Sequence, residues 1–179
     1  MERKYTDLLH VTHPILFRVN YGYAGRRGEP SCNNGWLEVI DRTCYALENL
    51  LETYGIPEES WPYITQIKEK FGLMRFYTSG MVGDMLTLGT TEEMQKLFDI
   101  FYAIINEQEN ATAHICERCG SVDGKSRSSG WVQVLCDTCE QWRQDTNNDF
   151  RLRDAAYAIP NEYGESRIAE LRKLSAHAE

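Results

Sequence analysis

The residues of this sequence with the clearest chemistry are four cysteines, Cys116, Cys119, Cys136 and Cys139, arranged as two C-x2-C pairs with sixteen residues between them. Each pair lets two thiolates approach one ion from a single tight turn. The intervening stretch is long enough to run out and back as a hairpin. Four soft sulfur donors suit a borderline ion such as Zn²⁺ and close its tetrahedron, so no position is left for water. The reading is a structural zinc ribbon, with an iron–sulfur cluster as the other chemistry open to four thiolates. A closed site of this kind does not activate water, so it is not by itself an argument for catalysis. Gly120, directly after the second cysteine, suits the positive φ of such a knuckle.

Two cysteines are left over. Cys44 falls on the apolar stripe of an expected helix and reads as a buried thiol. Cys32 sits in the turn Cys32-Asn33-Asn34-Gly35-Trp36 and would serve an enzyme only if a base stood beside it. His10, His13 and His114 are available for that role, but their positions in the sequence assign none of them. His114 precedes the first ligand by two residues and reads as a neighbour of the metal site rather than part of it.

Cations and aromatics supply the next candidates. Lys68-Glu69-Lys70-Phe71-Gly72 with Arg75-Phe76-Tyr77 is the densest mixture of the two in the chain. It fits a hairpin that binds an acidic or nucleic-acid partner, or a sheet with its aromatics in the core and its cations in water. The segment Asp123–Ser129 reads as the tip of the ribbon hairpin, carrying Lys125 and Arg127 with Trp131 just beyond. That group could meet phosphate or a stacked base, or be a solvated turn beside a core tryptophan.

The elements that position these residues follow from periodicity. Trp36, Ile40, Cys44, Leu47, Leu51 and Tyr54 recur at helical spacing over about 36–54, with Gly55 placed to end the helix and Pro57 beyond it. Residues of about 62–69 and 73–78 are β-favouring and flank Phe71-Gly72, which predicts a β-hairpin. Thr90 and Glu93 fit a capping box, and Met94, Leu97, Phe98, Phe101, Ile104 and Ile105 mark a second helix to about 110. The first thirty residues read as loop-rich. Residues 151–158 form a candidate short helix, and Ile168, Leu171 and Leu174 give a narrow stripe on a C-terminal helix. The expected class is α+β: a core over 1–112, a zinc ribbon over 113–142 and a helical extension over 143–179.

The chain has 179 residues and a net charge of −8, from 19 Lys+Arg and 27 Asp+Glu. An acidic chain is repelled by phosphate backbones unless it presents a local basic face. No apolar run approaches the ~20 residues that cross a bilayer, and no signal-peptide core follows Met1. Reduced, metal-binding cysteines in a cytoplasmic protein without a membrane partner are the expectation.

Three segments together carry a resemblance. Lys68-Glu69-Lys70-Phe71-Gly72-Leu73-Met74-Arg75-Phe76-Tyr77 resembles a KEKFGxLRFY-type motif, with Met74 where leucine is usual. The turn Cys32–Trp36 resembles a C-x-x-G-W element, with Asn33-Asn34 where Gly-Asp is usual. Cys116-Glu117-Arg118-Cys119-Gly120, Gly130-Trp131 and Leu135-Cys136-Asp137-Thr138-Cys139 resemble its zinc-ribbon companion. The combination, over about 30–139, is similar to a family of small proteins of bacteriophages, prophages and their hosts. The resemblance implies a mobile-element origin and brings no activity, substrate or catalytic residue.

The functional expectation is a non-enzymatic accessory protein that binds a macromolecule, a host protein first. Such a protein would interfere with a nucleic-acid-handling or defence system in the host cytoplasm. The partner surface would draw on Lys68, Lys70, Arg75, Lys125, Arg127 and Trp131. A nucleic-acid-binding ribbon and an enzyme using Cys32 are the alternatives.

Overall fold

The computed structural model of the chain describes residues 1–18, 28–79, 92–128, 132–147 and 160–176. The architecture is α+β: helices flank a hairpin, and a four-cysteine cluster is followed by a C-terminal helix. In chain order the elements are α1 (Arg3–Thr12), β1 (Pro30–Ser31), α2 (Leu37–Thr53), β2 (Tyr63–Lys70), β3 (Leu73–Ser79), α3 (Glu92–Ala111), β4 (Lys125–Ser128), β5 (Val132–Leu135), α4 (Asp137–Asn147) and α5 (Glu162–Ala176). The predicted short helix at 151–158 and the capping residue Thr90 lie outside the described residues.

Helix α2 is the spine. Its stripe Leu37, Ile40, Cys44, Leu47 and Leu51 is fully buried, and Gly55 at φ +66° ends it in the left-handed conformation that glycine adopts without penalty. Each of these aliphatic side chains contributes about 1.5–3 kcal/mol by leaving water. Helix α3 covers the core from the other side with Leu97, Phe101 and Ile105.

The sheet runs β1-β2-β3, with β1 parallel and β3 antiparallel to β2. Ile64, Ile67, Met74 and Phe76 are buried. The register pairs Lys68 with Arg75 and Lys70 with Leu73, which puts Lys68, Lys70, Arg75 and Tyr77 on the opposite, outward face. A bulge between Ile64 and Gln66 keeps both ends of β2 in phase with the core. The two-residue turn holds both Phe71 (φ +56°) and Gly72 (φ +79°) at positive φ, the geometry that matches strand twist. Glycine takes this without strain, whereas phenylalanine does so at a cost of about 1 kcal/mol. Glu69 Oε1 accepts the Gly72 N–H at 2.6 Å and secures the turn.

Among the described residues strand β3 is an edge, and side chains cap it instead of a further strand. The Met74 N–H donates to Thr112 Oγ1 at 3.0 Å, and the Phe76 N–H donates to Glu109 Oε1 at 2.7 Å. The end of α3 therefore satisfies donors that would otherwise recruit another chain.

The N-terminal segment departs from the loop-rich expectation, because residues 3–12 are helical. Tyr5, Leu8 and Leu9 bury one face of α1. The helix is short and has no side-chain cap at Glu2, so neither length nor a capping signal announced it. It holds its place through α5. Asn161 starts α5 by accepting the Gly164 N–H at 2.9 Å, while its own amide donates to the Asn34 carbonyl at 2.8 Å. A Cβ at Gly164 would lie 2.5 Å from the Tyr5 ring, so only glycine lets α5 sit this close. Ile168 and Leu171 pack on the main core and Leu174 is exposed.

Where α1, α2 and α5 meet, His13 is fully buried between two carboxylates. Its Nε2 lies 3.0 Å from Asp41 Oδ1 and its Nδ1 lies 2.7 Å from Glu48 Oε2. Tyr163 donates to the buried Asp41, and Arg167 lies 3.7 Å from it. Burial works against a charged imidazole, but the bonds from Asp41 and Glu48 outweigh it and raise the His13 pKa. Burial likewise favours neutral Asp41, and the bonds from His13 and Tyr163 overcome it and hold that carboxyl below its usual range.

Candidate metal centre

Helix α3 runs through a short turn at Thr112–His114 directly into the first cysteine. The first knuckle closes when the Gly120 N–H donates to the Cys116 carbonyl at 2.8 Å, with Gly120 at φ +87°. The Cys116 N–H donates to the Ser121 carbonyl at 2.7 Å. The second pair lies at the start of α4, where the Cys139 N–H is 3.5 Å from Cys136 Sγ and the Glu140 N–H donates to the Cys136 carbonyl. A helix N-terminus favours thiolate over thiol.

The sulfur atoms of Cys116, Cys119, Cys136 and Cys139 lie within 4.8 Å of one another, and those of Cys119 and Cys136 are 3.7 Å apart. A tetrahedral ion with metal–sulfur bonds of about 2.3 Å places its sulfurs about 3.8 Å apart. The donor set therefore fits a single metal ion such as zinc. The closeness of the sulfurs couples their ionisation. The Cys139 thiol and nearby backbone N–H groups stabilise the Cys116 thiolate and lower its pKa to about 4. Burial pushes Cys119 up to about 11, and the Cys116 thiolate drives Cys139 higher still. A central cation stabilises all four thiolates at once. Arg118, whose guanidinium stacks 3.2 Å from the centre of the Trp142 ring, adds positive charge toward the sulfurs.

The knuckle is seated on the Cys32–Trp36 turn. The Gly35 N–H donates to the Glu117 carbonyl at 2.8 Å, and the Trp36 indole N–H donates to the Ile115 carbonyl at 2.9 Å. A Cβ at Gly35 would lie 2.2 Å from the Cys116 carbonyl oxygen and 2.6 Å from the Gly120 nitrogen. The hairpin turn reaches the same place from the other side. A Cβ at Gly72 would lie 3.1 Å from Val132 and 3.5 Å from Val134 of β5. The three segments singled out in the sequence thus converge on one block. At its centre Glu117 is 2% exposed and its Oε1 accepts from Asn33 and from Gln133 at 2.9 Å. Burial pushes its carboxyl up to about 7, against the pull of those two amides.

In comparisons with protein-family models, curated proteins and solved structures, nothing matches this chain. Its geometry carries the functional reading.

The remaining candidates separate into groups. Lys125 and Arg127 lie on strand β4 rather than in a turn, and both pair with Asp137, Lys125 at 2.8 Å. Arg75 pairs with Glu109 at 2.9 Å. The Lys68 ammonium lies 5.1 Å over the Tyr77 ring and that of Lys70 lies 5.6 Å over Phe71. Trp131 lies outside the described residues. Cys32 is buried and its thiol is pushed up to about 12, which makes it a poor nucleophile. Cys44 is fully buried, and burial likewise raises its thiol well above the usual range.

Sequence reasoning missed Glu117, Asn161 and the His13–Asp41–Glu48 triad. Glu117 had a usable signal, since its neighbours are both ligands. The others carry none, because their partners lie far away in sequence. No helix among the described residues is long and apolar enough to cross a membrane.

Proposed function

We propose that this chain is a zinc-stapled, non-enzymatic accessory protein of phage type that works by binding a host protein in the host cytoplasm. The tetrathiolate geometry supports zinc: a single ion suits sulfurs this close together, whereas a multi-iron cluster holds its cysteines further apart. Elemental analysis of purified protein should find one zinc per chain; iron in its place would overturn the metal assignment. The resemblance of the three converging segments to phage and prophage proteins supports the origin.

The observation that carries the partner reading is the state of the charges. The ribbon cations Lys125 and Arg127 are turned onto their own Asp137, which does not support a phosphate-binding ribbon. The exposed face of α3 instead presents Glu92, Glu93, Asp99 and Glu107 against one cation, Lys96, bordered by Ile100 at 41% and Tyr102 at 45% exposure. Exposed apolar side chains within an acidic rim suit a protein whose own surface is basic, as nucleic-acid-handling proteins present. Affinity purification from host lysate should recover one partner in stoichiometric amount. Tyr102→Ala combined with Asp99→Lys and Glu107→Lys should release it. Absence of any partner, or a partner retained by that variant, would sink the reading.

A further inference from the structure

Besides the cations neutralised on the ribbon and by α3, one group of described cations lies along the outward face of the three-stranded sheet. Three aromatic rings of the hairpin each carry a cation. Arg18 lies 5.6 Å from the Tyr63 ring centre, Lys68 5.1 Å from Tyr77 and Lys70 5.6 Å from Phe71. Among the described residues none of these three cations makes an ion pair with a carboxylate, although Arg18 also donates to the backbone carbonyls of Glu58 and Trp61. Tyr77 is 41% and Phe71 74% exposed. From Tyr63 to Phe71 the strip spans about 25 Å at the rise of a strand.

Two features mark this strip as more than a solvated sheet. The first is its sign, since it is a cationic row on a chain of net charge −8. The second is Phe71 itself. The turn holds a bulky, exposed ring at φ +56°, a position that asparagine or glycine would take more comfortably. Backbone strain spent on exposing an aromatic ring, rather than burying it, points to a ligand.

We infer that the outward face of β2 and β3 binds single-stranded nucleic acid, with bases stacked on Tyr77 and Phe71 and phosphates held by Arg18, Lys68 and Lys70. Exposed rings beside cations on an open sheet match the unstacked bases and the backbone of a single strand. A duplex hides the faces of its bases, and its denser charge does not compensate against an acidic molecule. This site goes beyond the protein-binding reading and does not depend on it.

The test uses the full-length, metal-loaded chain and a fluorescein-labelled oligothymidylate of about 20 nucleotides, followed by anisotropy. Saturable binding is expected, weakening about 18-fold between about 50 and 200 mM salt if three phosphates are contacted. Lys68→Ala with Lys70→Ala should reduce the slope against log salt by about 1.4. Tyr77→Ala should weaken binding about tenfold. Phe71→Asn is the sharper variant, because it should raise the melting temperature by relaxing the turn while lowering affinity. Lys125→Ala, on the ribbon, should leave binding unchanged. The inference is overturned by no binding at low salt, by binding that survives the sheet variants, by preference for duplex, or by labelled polyglutamate binding in place of the oligonucleotide.

Discussion

At the scale of single residues, the metal centre depends on side chains, and on one missing side chain, outside its ligand set. Gly35 is the clearest case. Its φ is one that any residue adopts, so only contact forbids a larger side chain, and the atoms in the way are backbone. Gly35→Ala should push the first knuckle away from its seat and weaken zinc affinity about 10- to 100-fold, read by competition with a chromophoric chelator. Trp36 acts from the next position, since its indole N–H holds the residue before Cys116. Trp36→Phe keeps the ring in the core but removes the bond to the part-buried Ile115 carbonyl, which should cost about 1 kcal/mol in urea denaturation. Both residues stood out in the sequence as part of a recognisable turn. Their task was not legible there, because the knuckle they support lies about eighty residues downstream.

At the scale of elements, the contact of α1, α2 and α5 turns on a buried ion network. His13 gains its charge in the folded state, so its pKa is raised above 6.5. Its contribution to stability is present below that value and lost as pH rises through the folded pKa. Asp41 is held below 3.8, so its contribution is present above 3.8 and lost as pH falls through its folded pKa. Glu48, Tyr45, Tyr163 and Arg167 complete the surroundings of the pair. Chemical denaturation across pH should show a plateau between those limits and a decline on the alkaline side. His13→Gln should abolish the alkaline decline and lower the plateau by about 3–5 kcal/mol. An unchanged pH profile in that variant would show that the imidazole is neutral. The helical stripe of α2 and the glycine turn of the hairpin were readable from local periodicity. Helix α1 was not, because one buried face over ten residues is a weak signal without a cap.

At the scale of the whole molecule, two cores of unequal strength are joined. The main core draws on α1, α2, α3 and the sheet, whereas the buried cluster of the ribbon is Leu135 with three of its own ligands, Cys116, Cys136 and Cys139. A core that small does not hold a hairpin without its ion. Chelation should therefore release β4 and β5 while α2 stays folded, seen as rapid amide exchange confined to the ribbon and its seat. Global unfolding on chelation would mean that the platform carries more of the fold than its packing indicates. By itself the sequence determined what depends on near neighbours: the ligand set, the knuckle glycine, the amphipathic helices and the two-residue turn. Only the tertiary structure decided what depends on partners distant along the chain. It brought the three segments into one block, neutralised Lys125, Arg127 and Arg75 with acids from other elements, and left Lys68 and Lys70 on an open face. Spacing determines which side chains of one element share a face, but pairing between elements depends on how their buried faces pack, and no single segment contains that information.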